Sequence, residues 1–384
     1  MASYNSLCKT RQLQYSPSLL GNHRQGRLCA RCCNTSHKTS AATMRLEVKE
    51  IATAPNARPT LARSGHMAAS PLPPDSPYHG LIIGGYTEEV PSGSPPVRRE
   101  VAEVWGLARG SLAWQRVECG GDPAPQGRMV GQAVVAGGAV WMLGGWAPSA
   151  GPGEAAFLGD VWRLDTRTWA WSRATPQGEP LPRISRFQAA AVGSTVYVHH
   201  HRCSDHILAM DVSGAAPVLR RVPVSGDVPP SRGLHTMTAL GSSKLVVYGG
   251  APQQGPMMGD LYELDLGSMR WEQVTPSGTV PHARCAHVAA AVPGGRYILY
   301  HGGAHYKDQV SGSGGLQVLG DAFLYDAQER AWINLENDHM PAARNAAALL
   351  TLGSDGSNVN TFVLHGGWIP FVSTFNDTHK LTVV

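Results

Sequence analysis

Apolar residues in this chain gather in short runs of β type that recur in a fixed order. GLIIGG ending at Gly85, VWMLGG at Gly145, LVVYGG at Gly250, ILYHGG at Gly303 and FVLHGG at Gly367 are rich in Val, Ile, Leu and Tyr and close on a double glycine. VYVHHH, ending at His201, takes the same place with histidines. The interval is roughly fifty to sixty residues. Short apolar runs bounded by turn residues predict buried strands. Six strand-built repeats are therefore expected.

Within a repeat, the double glycine is followed by a variable stretch, then by LGDVWRLD (158–165), MGDLYELD (258–265) or LGDAFLYD (319–326), then by Trp171, Trp271 or Trp332. The first repeat keeps part of this, with VAEVWGL (101–107) and Trp114. A Pro-rich turn and an arginine come next, as in Pro281-His282-Ala283-Arg284. Such units cannot each bury a face alone and must stack. At the inner end of a strand backbones converge, and glycine avoids a crowding Cβ.

These residues resemble the kelch repeat, a unit of about fifty residues with a double glycine, a spaced aromatic and a tryptophan. The resemblance covers nearly everything after Met44. It implies an all-β fold: a six-bladed kelch-type β-propeller with one four-stranded blade per repeat. The sixth repeat stops before its tryptophan strand, whereas Leu46-Glu47-Val48-Lys49 lies where a last strand is missing. Residues 45–51 are therefore expected to complete the last blade and close the ring, which removes a free edge. The domain reading is 1–43 as a tail and 44–384 as the propeller.

Composition changes the picture mainly at the N-terminus. Residues 1–43 hold six of the 32 basic residues and no acidic one, which leaves 44–384 at −2 and gives no nucleic-acid footprint. Such a stretch reads as a transit peptide, a disordered tail, or an extension upstream of a start at Met44. The expected location is cytoplasmic, or chloroplast or mitochondrion if the segment is a transit peptide. No apolar run reaches the length of a membrane helix, so no membrane span is expected. Four of the seven cysteines (Cys8, Cys29, Cys32, Cys33) lie in this tail, where Cys29-x-x-Cys32 reads as reduced thiols rather than a zinc site. The remaining three, Cys119, Cys203 and Cys285, form no disulfide pattern, which favours a reducing compartment.

Three constellations carry candidate chemistry. Arg63, Arg128, Arg183, Arg232, Arg284 and Arg344 are each expected to begin an innermost strand, three continuing as Arg-x-x-His with His66, His235 and His287. Similar kelch domains place these starts at the channel mouth, so the arginines read either as a cationic ring for an acidic partner or as bonds between adjacent blades. The stretches 86–100, 146–157, 304–318 and 368–374 read as long Gly/Pro/Ser-rich loops on the same face, with Trp146, Tyr306, Trp368, Phe371 and Phe375 as aromatic anchors. Segment 199–206 is the third: on a strand, His199 and His201 share one side, and with Cys203, Asp205 or His206 they have the donor types of a zinc or copper site. Repeat divergence is the competing account.

Catalytic signatures are missing: the chain has no nucleophile elbow, Walker loop or His-Glu-x-x-His helix. Kelch proteins that serve ubiquitin ligases carry a BTB or F-box domain, for which residues 1–43 leave no room. The expected function is a stand-alone binding module or scaffold for another protein, with no cofactor. The alternative is a metal-dependent enzyme using segment 199–206.

Overall fold

Every apolar run named above is a strand in the computed structural model, which describes residues 44–51, 61–89, 97–148, 157–308, 310, 312–335, 338–354, 360–370 and 372–384. The tail with its cysteines and Phe371 lie outside the described residues. All described residues are strand, turn or irregular, without a helix, and none therefore forms a helix long and apolar enough to cross a membrane.

Repeat four shows the pattern. Thr236–Leu240, Lys244–Gly250, Met258–Asp265 and Arg270–Val274 pair antiparallel in sequence order. The same order holds in repeat one (Met67–Ala69, Tyr78–Ile83, Val104–Ala108, Trp114–Val117), repeat two (Gln132–Ala136, Ala139–Trp146, Phe157–Asp165, Trp171–Ala174), repeat three (Gln188–Val192, Thr195–His199, His206–Asp211, Val218–Pro223) and repeat five (Val288–Ala291, Tyr297–His301, Ala322–Asp326, Ala331–Asn334). Repeat six supplies Ala348–Ser354, Asn360–His365 and Thr378–Val383. Its fourth position is filled from the other end of the chain, with Leu46–Ile51 antiparallel to Thr378–Val383, Leu46 opposite Val383 and Ile51 opposite Thr378. All these strands belong to one body, Arg45–Val384.

The core lies between neighbouring sheets. Trp171 packs among Val117, Leu81 and Val140 of repeats one and two. Trp271 packs among Ile207 and Ala190 of repeat three and Val247 of its own repeat, and Trp332 packs against Tyr248 and Val246 of repeat four. Each tryptophan is thus a wedge against the repeat before it, which explains its recurrence. Leu350 and Val363 of repeat six share a cluster with Ile82 and Leu107 of repeat one, and Trp114 packs against it. Burying an aromatic of this size contributes roughly 2–3 kcal/mol.

Two backbone devices accompany the packing. At the double glycine of repeat four the pairing register slips between Tyr248 and Gly250. Gly249 has φ +63°, and a Cβ there would stand 2.7 Å from the carbonyl oxygen of Arg284 in the next repeat. Gly250 then donates its N–H to that same oxygen. The glycines therefore serve a left-handed bulge and a close approach of the next repeat. The second device was not foreseen. Each inner strand begins four or five residues after the arginine expected to open it, and two residues before each strand lies a left-handed residue: Gly65, Val130, Arg186, Leu234, Ala286 and Ala346, with φ between +47° and +60°. Val130 N–H donates to Gly65 O, Arg186 to Val130, Leu234 to Arg186, Ala286 to Leu234, Ala346 to Ala286, and Gly65 to Ala346, at 2.8–2.9 Å.

Candidate functional site

The inner-strand starts converge on one end of the sheets, and the arginines there are not surface groups. Arg63, Arg128, Arg232, Arg284 and Arg344 are all at most 1% exposed. Each donates from Nη1 to the carbonyl of the first glycine of its own repeat, Gly84, Gly144, Gly249, Gly302 or Gly366, at 2.9–3.1 Å. In four repeats the guanidinium also grips a carboxylate through both terminal nitrogens: Asp160, Asp260 or Asp321 of the Gly-Asp pairs, or Asp377, which follows Asn376. Repeat one uses Glu103 through Nη2 alone, at 3.0 Å. Neither expected reading describes these five: the donors are directed inward rather than toward an acidic ligand, and the bonds stay within a repeat, tying the approach to its inner strand to its second and third strands rather than to an adjacent blade.

The spaced aromatic belongs to the same device. Trp105 and Trp162 donate their indole N–H groups to Glu103 and Asp160. Tyr262 and Phe323 lie beneath Arg232 and Arg284 at 5.2 and 5.6 Å from the ring centres, and Phe375 beneath Arg344 at 4.2 Å. Burial pushes the Asp160 and Asp377 carboxyls upward, but hydrogen bonds and charge from Arg128 and Arg344 more than reverse it and hold both low. Trp162 adds to this for Asp160, and His379 for Asp377, at 2.8 Å.

Arg183 does not belong to the set. It is exposed, and the equivalent position falls one residue later, on buried Ile184, whose carbonyl receives the Gly145 N–H. His66, His235 and His287 are buried. Burial keeps all three well below the usual histidine range and therefore neutral. His235 Nε2 meets His199 Nδ1 at 3.0 Å, and His287 Nε2 meets the Thr236 hydroxyl at 3.0 Å.

Where long loops are expected, the structure has β-ribbons. Tyr86–Glu89 pairs with Val97–Glu100, Ala304–Asp308 with Ser313–Val318, and Trp368–Ile369 with Ser373–Thr374. In repeat two the long strands continue past the bulge until Trp146 faces Phe157. The Gly and Pro residues around these stretches hide the signal of a ribbon in the sequence. Tyr86, Trp146, Tyr306 and Trp368 are half-buried at the ribbon bases. Repeats three and four carry only short turns here, so ribbons occupy repeats five, six, one and two.

Segment 199–206 is rearranged relative to expectation. The strand Thr195–His199 ends before His200, so alternation no longer applies and His199 and His201 do not face one site. His199 turns into the core against Trp271, and burial drives it down to about 3. His201 lies against Arg202, with Nε2 accepting from Arg202 Nε at 3.1 Å. The residues brought together are His200, Cys203 and His206, all buried, with one donor atom from each within 4.8 Å of the others. His200 was missing from the expected set. Asp205 is exposed and accepts from His206 Nδ1 at 2.6 Å.

The family model described as the KLHDC2/KLHL20/DRC7 Kelch-repeats domain matches residues 198–384. Kelch domain-containing protein 2 of Bos taurus is 24% identical over 310 residues, 73% of this chain and 71% of that protein. Adagio-like protein 3 of Oryza sativa subsp. japonica is 30% identical over 226 residues, covering 54% of this chain and 34% of its own length. Acyl-CoA-binding domain-containing protein 5 of Arabidopsis thaliana is 26% identical over 268 residues, 66% of this chain and 38% of that protein. The chain thus spans little more than a third of the length of the last two relatives. With its recurring double glycines, tryptophan wedges and four-stranded sheets, the chain belongs to the kelch-repeat proteins. It is a kelch-type β-propeller protein.

Proposed function

We propose that this protein recognises another protein through the ribbon-bearing end of a six-bladed propeller closed by Leu46–Ile51. Three features support the closure: pairing of that strand with Thr378–Val383, the core shared by repeats six and one, and the cycle of amide bonds returning to Gly65. The carrying observation for the site is the uneven end itself. Ribbons with aromatic bases rise on repeats five, six, one and two, and low turns lie on three and four. A step of this kind on a rigid scaffold offers a partner both a floor and a wall, and half-buried aromatics fixed at the ribbon bases are suited to anchor it. Because the arginines are turned inward, the recognition groups are the ribbon aromatics and not a cationic ring.

Affinity purification of the full chain tests this against two variants shown to be folded. A Trp146→Ala/Tyr306→Ala/Trp368→Ala triple variant removes the aromatic bases, and Arg173→Ala changes the exposed outer strand of repeat two. Proteins held by the parent and by Arg173→Ala but lost from the triple variant are expected. Retention by the triple variant with loss from Arg173→Ala would place recognition on the outer edge instead.

A further inference from the structure

Repeat three departs from the others at three positions at once. Strand pairing puts Thr195 opposite Asp211 and Lys244 opposite Asp265, which aligns His199 with Tyr248, His200 and His201 with Gly249 and Gly250, and His206 with Asp260. Ile184 stands for the buried arginine. The guanidinium donor, the glycine carbonyl it needs and the carboxylate it grips are replaced together, and two of the replacements are imidazoles. The turn between them contributes a third donor, Cys203.

We propose that His200, Cys203 and His206 form a zinc site that joins the inner end of repeat three where the other repeats use an arginine–carboxylate pair. Two nitrogens and one sulfur are a usual donor set for zinc, and a fourth position is left for water. Their donor atoms lie within 4.8 Å of one another, and tetrahedral bonds of about 2.0–2.3 Å would require them to draw together by roughly 1 Å. That is a movement within one short turn.

Four observations point to a ligand rather than to incidental proximity. His200 is 3% exposed, and its Nε2 has no hydrogen-bond partner; a buried polar atom in that condition costs about 1–3 kcal/mol. His206 gives its Nδ1 proton to the Asp205 carboxylate, which fixes the tautomer with Nε2 unprotonated, as the outer carboxylate does for metal-bound histidines. The His200 backbone N–H points at Cys203 Sγ at 3.4 Å, a donor that favours thiolate over thiol. Finally, Asp205 lies 3.7 Å from Arg221, whose Nη2 stands 3.1 Å from His206 Nδ1, and offsets part of the positive charge that Arg202 and Arg221 bring to the site. Filling the site costs two weak hydrogen bonds: the Cys203 S–H now reaching Val198 O over 3.9 Å is given up with its proton, and the Arg202 N–H now reaching His200 Nδ1 over 3.2 Å must turn outward once Nδ1 carries the ring proton.

The test uses the full chain, with Cys8, Cys29, Cys32 and Cys33 changed to Ser so that tail thiols do not compete. After exposure to Zn²⁺ and dialysis, this parent is expected to retain one equivalent of zinc. Its Co²⁺ form should show thiolate-to-cobalt charge transfer and tetrahedral d–d absorption. Chelation should lower its melting temperature by a few degrees, as for any ligand bound only by the folded state. Cys203→Ser and His206→Gln in the same background are expected to lose the zinc, with the cobalt–thiolate band absent from the first. Zinc retained by both variants, or a parent that binds neither metal, overturns the proposal. Should Cys203→Ser not fold, the cobalt spectrum of the folded parent and the zinc content of His200→Gln decide it.

Discussion

Repeats three and four are neighbours with the same four-stranded plan, yet their inner ends are held by opposite means. Repeat four buries a guanidinium between Gly249 O and Asp260. Repeat three buries Ile184 and Phe187 in a cluster with Leu143 and Val161 of repeat two. The difference shows that the arginine, the double glycine and the aspartate are one device rather than three separate signatures. An arginine without its carboxylate would be a buried unpaired charge, and a carboxylate without its arginine likewise, so they disappear together. Replacing a whole buried ion pair with packed apolar residues is commonly neutral, whereas removing one partner is not.

The comparison can be broken most severely at the strand that repeat three does not need. Removing Leu46–Ile51 exposes the edge of Thr378–Val383 and forfeits a six-residue ladder. A loss on the order of 5 kcal/mol is expected, at about 1 kcal/mol per backbone hydrogen bond, read as a collapse of the urea midpoint. An unchanged midpoint would remove this strand from the account of closure. Next in size, Arg232→Met leaves Asp260 buried without its partner and should cost about 3–5 kcal/mol, whereas Arg232→Met/Asp260→Leu should recover most of that, imitating repeat three. If the double variant is as unstable as the single, the two solutions are not interchangeable. Ile184→Arg should cost about 2–4 kcal/mol by the reverse argument, because His206 stands where a carboxylate would be.

Acid gives a smaller and graded effect. Glu103, Asp160 and Asp377 are all held below the usual carboxylate range; burial opposes this, and the paired arginines with Trp105, Trp162 and His379 overcome it. A carboxylate depressed on folding contributes stability that is fully present above its unfolded value near 4 and is lost as pH falls through its folded value. The buried, neutral His66, His235 and His287 act in the same direction from a higher starting point, so the urea midpoint should begin to fall below about pH 6.5, the usual histidine value, and fall further below 4 as the paired carboxylates are protonated. A midpoint insensitive to acid down to pH 3 would show that these pairs carry no net stabilisation. Smallest of all, Arg173→Ala on an exposed outer strand should shift stability by less than about 0.5 kcal/mol.

Much of the fold was legible because its parts repeat. A single Gly-Gly has no meaning, but strands, wedge tryptophans and the completing strand 45–51 follow once the order of six is seen. The site was less legible, for three physical reasons. Alternation along 199–201 fails because the strand ends at His199, so the pairing of His199 with His201 gives way to His200 with His206. Charge marks the other five positions and so points to Arg183, although burial is what the position requires and Ile184 supplies it. The left-handed residues at the inner ends leave no trace, since Gly65, Val130, Arg186, Leu234, Ala286 and Ala346 share a backbone conformation and no side-chain chemistry.

That last set has an electrical consequence. A helix adds peptide dipoles of about 3.5 D along one axis and acquires a positive and a negative end. Here six hydrogen bonds join six residues, each giving its N–H to one neighbour and its C=O to the other, and the last returns to the first, so the cycle has no first donor and no last acceptor. None of these six N–H and six C=O groups is therefore left over as the positive or negative terminus that a helix presents at its ends.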